Sequence, residues 1–209
     1  MTEAHPGYPC WARDELAALA ARYGVPVVGV TRDRAAAGYL ATINTRRRPG
    51  EVCMVVRRRS GKLLLATKAI YPAGVYRLLT GGIHRRETVW QALLRETDEE
   101  TALSVEVRRF LAVARYQPPD APEPDEYATF AFLLDEVAGE LQVNDPDEGL
   151  TGFREIAPAE LPSVADQLDG QQDVASAGLE SSYHAWGHFR AVIHRLVWQA
   201  LSAEPPEQR

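Results

Sequence analysis

The chain has 209 residues, 45% apolar and 25% charged, with a formal charge of −6. Those proportions exclude a disordered, collagen-like or coiled-coil protein and allow one sizeable hydrophobic core. Two cysteines, Cys10 and Cys53, are too few for a disulfide framework or a four-thiolate zinc site and read as reduced thiols. The start, Met1 to Gly7, has neither the basic end nor the apolar run of a signal peptide, and no 18-residue apolar stretch follows. The expected location is the cytoplasm, without a membrane partner. The charge is uneven: residues 1–115 carry +8, residues 116–153 carry −10 with no basic side chain, and residues 154–209 carry −4. Such asymmetry suits an anionic ligand on the basic side and a cation on the acidic side, although a solvated acidic loop accounts for 116–153 equally well.

In chain order, Trp11 to Tyr23 reads as a short amphipathic helix closed by Gly24 and Pro26, and Val27 to Val30 as a strand. Tyr39 to Thr45 is expected to be a second strand, broken by Arg46-Arg47-Arg48-Pro49-Gly50. Val52 to Arg57 and Lys62 to Thr67, joined by Ser60-Gly61, predict a hairpin, and Val75 to Leu79 a further strand closed by Gly81-Gly82. Residues 87–102 lack Gly and Pro and are rich in Glu, Leu, Ala and Arg, so they predict a helix. Strands follow near 105–116 and 127–137. The four prolines of 117–126 keep that connection out of a central ladder and leave it long enough to be a lid. A polar turn at 144–149, a strand near 151–156, a short helix from Pro158 and a polar loop at 169–182 come next. Trp186, Phe189, Ile193, Leu196, Val197 and Ala200 then recur at three- and four-residue spacing, as in an amphipathic C-terminal helix.

The chemistry is concentrated in residues 81–103. On a helix Glu96 and Glu100 are neighbours at i,i+4 with Glu99 beside both, so three carboxylates gather on about one turn. Like charges at that spacing, near a helix C-terminus, oppose helix formation by a few tenths of a kcal/mol per pair. A hard divalent cation is the natural compensation, since Mg²⁺ takes carboxylate oxygens and shares its other positions with water and phosphate. Arg95, four residues before Glu99, is placed to orient it.

The order Gly81, Glu87, Arg95-Glu96, Glu99-Glu100 resembles the Nudix box, G-x5-E-x7-R-E-U-x-E-E-x-G-U with U aliphatic, at every charged position. Thr97 replaces an aliphatic residue on the packed side. Ala102 replaces the late glycine, which asks the turn after the helix to avoid a left-handed conformation. The resemblance covers about residues 50–168. It implies an α/β fold, a Nudix-type α/β/α sandwich around a mixed β-sheet, with an N-terminal extension (1–50), the Nudix domain (51–168) and a loop plus C-terminal helix (169–209). That helix is expected to pack on the domain or on a second subunit, which leaves a homodimer open.

The resemblance further implies hydrolysis of a nucleoside diphosphate linked to another group, with Mg²⁺, or Mn²⁺, as cofactor. The implied metal ligands are Glu96, Glu99, Glu100 and the Gly81 carbonyl; Glu87 and Arg95 support them. Nudix enzymes often use a further Glu outside the box. Glu148, in the turn before the 151–156 strand, is the choice, with Glu123 and Glu126 as competitors. Arg77, Arg85 and Arg86 lie nearest the box and are expected to grip phosphate; Arg46-Arg47-Arg48 and Arg57-Arg58-Arg59 are more remote. His84 lies in the box loop. His184 and His188 have a zinc-like spacing but no evident third ligand, and read as structural. Short basic runs without interleaved aromatics in an acidic chain argue against nucleic acid. Pro118 and Pro119 fall 15 and 16 residues past Leu103, and a proline at about that distance resembles the ADP-ribose-type members of the family, which implies ADP-ribose or a nucleotide sugar as substrate. Nucleoside triphosphate pyrophosphohydrolysis is the alternative, and a non-catalytic Nudix-like sensor the alternative of another class.

Overall fold

The computed structural model describes residues 8–43, 48–117, 127–173 and 182–203. Arg46, Arg47, Glu123, Glu126 and the prolines of the 117–126 connection lie outside these residues.

Seven strands form one mixed sheet: β1 (Val27–Thr31), β2 (Gly50–Arg57), β3 (Leu63–Lys68), β4 (Arg77–Gly82), β5 (Ser104–Tyr116), β6 (Tyr127–Ala138) and β7 (Leu150–Ile156), in the order β1-β5-β6-β2-β4-β3-β7. The β1–β5 and β2–β6 pairs are parallel and the others antiparallel. β2 lies inside the sheet, and Val52 to Val56 are wholly buried, the unbroken apolar run of a strand covered on both faces. Val52, Met54 and Val56 face one core with helices α1 (Arg13–Tyr23) and α3 (Val89–Thr101). Cys53 and Val55 face the other, with α2 (Arg34–Leu40), α4 (Leu161–Asp169) and α5 (Tyr183–Ser202). The result is an α/β/α sandwich.

Three sequence expectations are corrected. Residues 34–40 form helix α2, where the reading from Tyr39 onward was strand. Asp33 accepts a hydrogen bond from the Ala35 amide at 2.9 Å, and the alanines behind it favour helix, which outweighs the β-branched Thr42 and Ile43. β2 and β3 are not a simple hairpin: they share one pair, Arg57↔Leu63, before β4 enters between them. β4 itself starts at Arg77 and runs through Gly81 and Gly82, which pair with Val52 and Glu51 and so belong to the strand.

The segment 27–31 joins the sheet edge as β1, so part of the N-terminal extension shares the main fold. The C-terminal helix packs on its own chain: Trp186, Phe189, Ile193, Val197 and Ala200 are buried against β5, α2 and α4. No described helix is long and apolar enough to cross a membrane.

Candidate active site

All four leading amides of α3 are satisfied. Thr88 caps the helix and makes a reciprocal pair with Gln91; the Ala92 amide donates to the Thr88 carbonyl. The amides of Val89 and Trp90 donate to the Glu15 carboxylate of α1 at 3.0 and 2.9 Å. At the other end Ala102 adopts a left-handed conformation, φ 55°, against the expectation for an alanine there. Its amide closes on the Asp98 carbonyl, and Leu103, buried, donates to Thr101 Oγ1, so local bonds and packing offset about 1 kcal/mol of strain. Thr97, the other departure, is buried with its hydroxyl donating to the Leu93 carbonyl at 2.6 Å, and therefore adds no unpaired polar group to the packed face.

The helix so held presents Glu96 and Glu100 to Glu148. These three carboxylates each offer an oxygen within 4.8 Å of the others. Glu148 arrives on a single 3-10 turn, Pro146–Glu148, whose approach is tied to α3 by the Asn144 and Asp145 amides donating to the Glu99 carbonyl. Both oxygens of Glu100 and Oε2 of Glu96 are buried without a hydrogen-bond partner among the described residues. Burial pushes Glu100 up to about 8 and Glu96 up to about 7; Arg77 and Lys68 oppose the first shift and Arg95 the second, while Glu148 adds to both. Three grouped carboxylates, two of them with orphaned oxygens, are a donor set for a hard divalent cation, so the residues present fit the metal implied by the box.

Gly81 is part of that fit. A Cβ there would lie 1.8 Å from Glu96 Cδ, so only glycine lets the carboxylate rest against β4. Arg95 Nη1 donates to Glu96 and Glu99 at 2.8 and 2.7 Å, while its Nε and Nη2 take both oxygens of Glu87 at 2.8 and 2.9 Å. Although burial raises Glu87, the Arg95 and His84 amide hydrogen bonds leave its carboxyl below the usual range. Glu99 thus faces Arg95 and stands outside the three-carboxylate group.

Gly81, Arg95, Glu96, Glu99 and Glu148 line a cavity of about 340 Å³ at one rim of the sheet. Arg77 reaches it too, buried, with Nε on the Tyr71 hydroxyl at 2.7 Å and Nη1 on the Leu78 carbonyl. Arg85 and Arg86 are not among its lining residues: with Gln91 and Leu94 they line a neighbouring depression that shares His84 and Arg95 with it. Two cations that sequence proximity passed over do line it. Arg48 lies against Gly82, and Lys68 Nζ is 3.2 Å from Glu148. A β-bulge at Thr67/Lys68 breaks the β3 alternation. His84 borders the cavity and is exposed; His188, by contrast, pairs with Asp169 at 2.8 Å and Asp33 at 3.3 Å on α5, away from it.

The chain belongs to the NUDIX family: the model of the NUDIX domain matches residues 47–176. Among characterised relatives, it is 30% identical over 114 residues to the NAD-capped RNA hydrolase NudC of Photobacterium profundum, covering 54% of this chain and 40% of that one. It is 34% identical over 88 residues to the ADP-ribose pyrophosphatase of Methanocaldococcus jannaschii, covering 42% and 51%. The matched region therefore spans about half or less of these relatives. The MutT NUDIX hydrolase of Burkholderia pseudomallei superposes with a TM-score of 0.45 at 20% identity, over 74% of this chain and 98% of its own.

Proposed function

We propose that this protein hydrolyses the diphosphate linkage of a nucleoside diphosphate joined to a second group, with a divalent cation held by Glu96, Glu100, Glu148 and the Gly81 carbonyl. The observation that carries this is Glu100, fully buried on a helix with two oxygens and no protein partner among the described residues. Bound there, the cation would acidify water and neutralise charge on the phosphoryl oxygens. Mg²⁺ is the expected ion, with Mn²⁺ able to replace it.

The chain's own residues divide the remaining work. Arg95 fixes Glu96 and Glu99 through a guanidinium that is itself clamped by Glu87. Glu148 is the least buried of the three grouped carboxylates, which suits it to take a proton from attacking water. Lys68, Arg48 and Arg77 line the same cavity and supply positive charge for a diphosphate. ADP-ribose and the NAD group, both named in the relatives, share a diphosphate linked to adenosine, which supports that substrate class over triphosphates. The grouped carboxylates support an enzyme over a sensor.

The test is phosphate or nucleotide release from ADP-ribose, NAD, an NAD-capped RNA oligonucleotide, nucleotide sugars and dNTPs, with Mg²⁺ or Mn²⁺. Metal-dependent cleavage of a diphosphate-linked substrate, lost in Glu100→Gln, is expected. Turnover confined to dNTPs would establish the triphosphate alternative, and none on any substrate would favour the sensor.

A further inference from the structure

The cavity has a second chemical character that a diphosphate does not use. Tyr39 of α2, Tyr71 after β3, and Trp186 and Arg190 of α5 also line it. Tyr39, Trp186 and Arg190 lie outside residues 47–176, the span matched by the family model. Tyr71 and Trp186 meet with ring centroids 4.6 Å apart; Arg190 Cζ lies 5.8 Å from the Tyr39 ring centre. Arg190 is buried and donates from Nη1 to Glu51 at 2.7 Å, and Glu51 also accepts from Thr129 at 2.9 Å. Yet Arg190 Nε, equally buried, has no acceptor among the described residues. A guanidinium N–H left without an acceptor on a cavity wall is a donor awaiting a ligand.

The placement sets the scale. Glu51 pairs across the sheet with Gly82, and Val52 with Gly81, against which the Glu96 carboxylate packs. The Arg190–Glu51 pair and the metal-ligand carboxylates thus reach one rim from opposite faces, α5 on one side and α3 on the other. A ligand joining them needs a diphosphate at one end and, at the other, a flat ring with a hydrogen-bond acceptor. That is a nucleobase: aromatic faces stack on it, and its ring nitrogens or carbonyls accept from an arginine.

We propose that Tyr39, Tyr71 and Arg190, with the buried Trp186 packed against Tyr71, form the nucleobase subsite of this enzyme, with Arg190 Nε as the donor that discriminates among bases. This rests on the diphosphohydrolase reading for the orientation of the substrate, but the base contact itself does not require turnover. The group joined to the far phosphate then lies away from α5.

The experiment is isothermal titration of the metal-free full chain with AMP, GMP, CMP, UMP and ribose 5-phosphate. All five share the phosphate, so its repulsion by the carboxylates cancels from the comparison. At least one nucleotide is expected to bind tenfold or more tightly than ribose 5-phosphate. Tyr39→Leu should weaken that nucleotide about tenfold and leave ribose 5-phosphate unchanged, while Tyr39→Phe restores binding. Arg190→Lys keeps a cation beside Glu51, hence the fold, but removes Nε, and should flatten the preference among bases. Equal binding of ribose 5-phosphate and all four nucleotides, no binding by any of them at millimolar concentration, or equal weakening of all ligands by Tyr39→Leu would overturn the subsite. Base-selective binding without hydrolysis of any substrate would retain it and remove the diphosphohydrolase reading; hydrolysis without base selectivity would do the reverse.

Discussion

Arg95 and Glu87 are joined by two parallel hydrogen bonds, Nε to Oε1 at 2.8 Å and Nη2 to Oε2 at 2.9 Å, which leave Nη1 for Glu96 and Glu99. One planar group therefore fixes three carboxylates, two of them on its own helix. A lysine has the charge but not the fork. Arg95→Lys is expected to lower metal affinity and turnover by about 10- to 100-fold while leaving thermal stability nearly unchanged, read by titrating activity with Mg²⁺. A variant as active as wild type at limiting metal would separate Arg95 from the site.

Gly81 and Glu96 occupy almost the same space, since a Cβ on residue 81 would lie within 2.2 Å of three Glu96 side-chain atoms. The clash involves the outer part of a flexible side chain, so the carboxylate can swing away and the backbone can stay. Gly81→Ala should fold cooperatively and lose most metal-dependent activity. Circular dichroism melting and an Mg²⁺ titration separate the two effects. Retained activity would show that Glu96 is not needed where it lies.

Glu100 makes the free protein pH-sensitive. Its folded-state value is raised to about 8 from an unfolded value of about 4.5, so its stabilising contribution is whole below about pH 4.5 and is lost as pH rises through 8. His194 works the other way. Burial lowers it to about 3, so its contribution is whole above about pH 6.5 and is lost only as pH falls. Between pH 4.5 and 8 Glu100 ionises in the unfolded chain before it does in the folded one, while Glu96, raised to about 7, and the buried His194 are present in wild type and variant alike. Metal-free Glu100→Gln should match wild type near pH 4.5, where Glu100 is protonated in both the folded and the unfolded chain, and melt progressively higher than wild type as pH rises to 8, while remaining inactive. An equal melting difference at both pH values would show that Glu100 is not the titrating group.

The legible part of the molecule was the part written in local spacing. Helix period brings Glu96, Glu99, Glu100 and Arg95 onto one turn within six residues of chain, and alternating or unbroken apolar runs marked β1, β5, β6 and β7. The membership in the family follows from those same residues. Arg190 and Glu51 are 139 residues apart, and only the packing of α5 on the sheet brings them together, so no local pattern announces the pair. Arg85 and Arg86, beside the box in sequence, line a neighbouring depression that shares His84 and Arg95 with the cavity, whereas Arg48, more remote in sequence, lines the cavity itself beside Gly82. The left-handed Ala102 was hidden for a similar reason: side-chain preference pointed one way, and the hydrogen bonds and packing at the helix end another.

Glu15 ties α1 to α3, the helix that carries Glu96 and Glu100. Its two oxygens accept from the Val89 and Trp90 amides, and Tyr23 of the same helix stacks on Trp90 at 5.5 Å between centroids with the planes 11° apart. A carboxylate at a helix N-terminus satisfies orphaned donors and complements the helix dipole. Glu15→Ala leaves two amides without that acceptor and should reduce unfolding free energy by about 1–2 kcal/mol, read from urea denaturation. Thr88 still caps the third amide, and Glu96 lies about two turns farther along α3. Turnover per folded molecule should therefore stay within about twofold of wild type. A loss of activity without a loss of stability would mean that Glu15 acts on the carboxylates of α3, and a loss of neither would remove it from the support of the site.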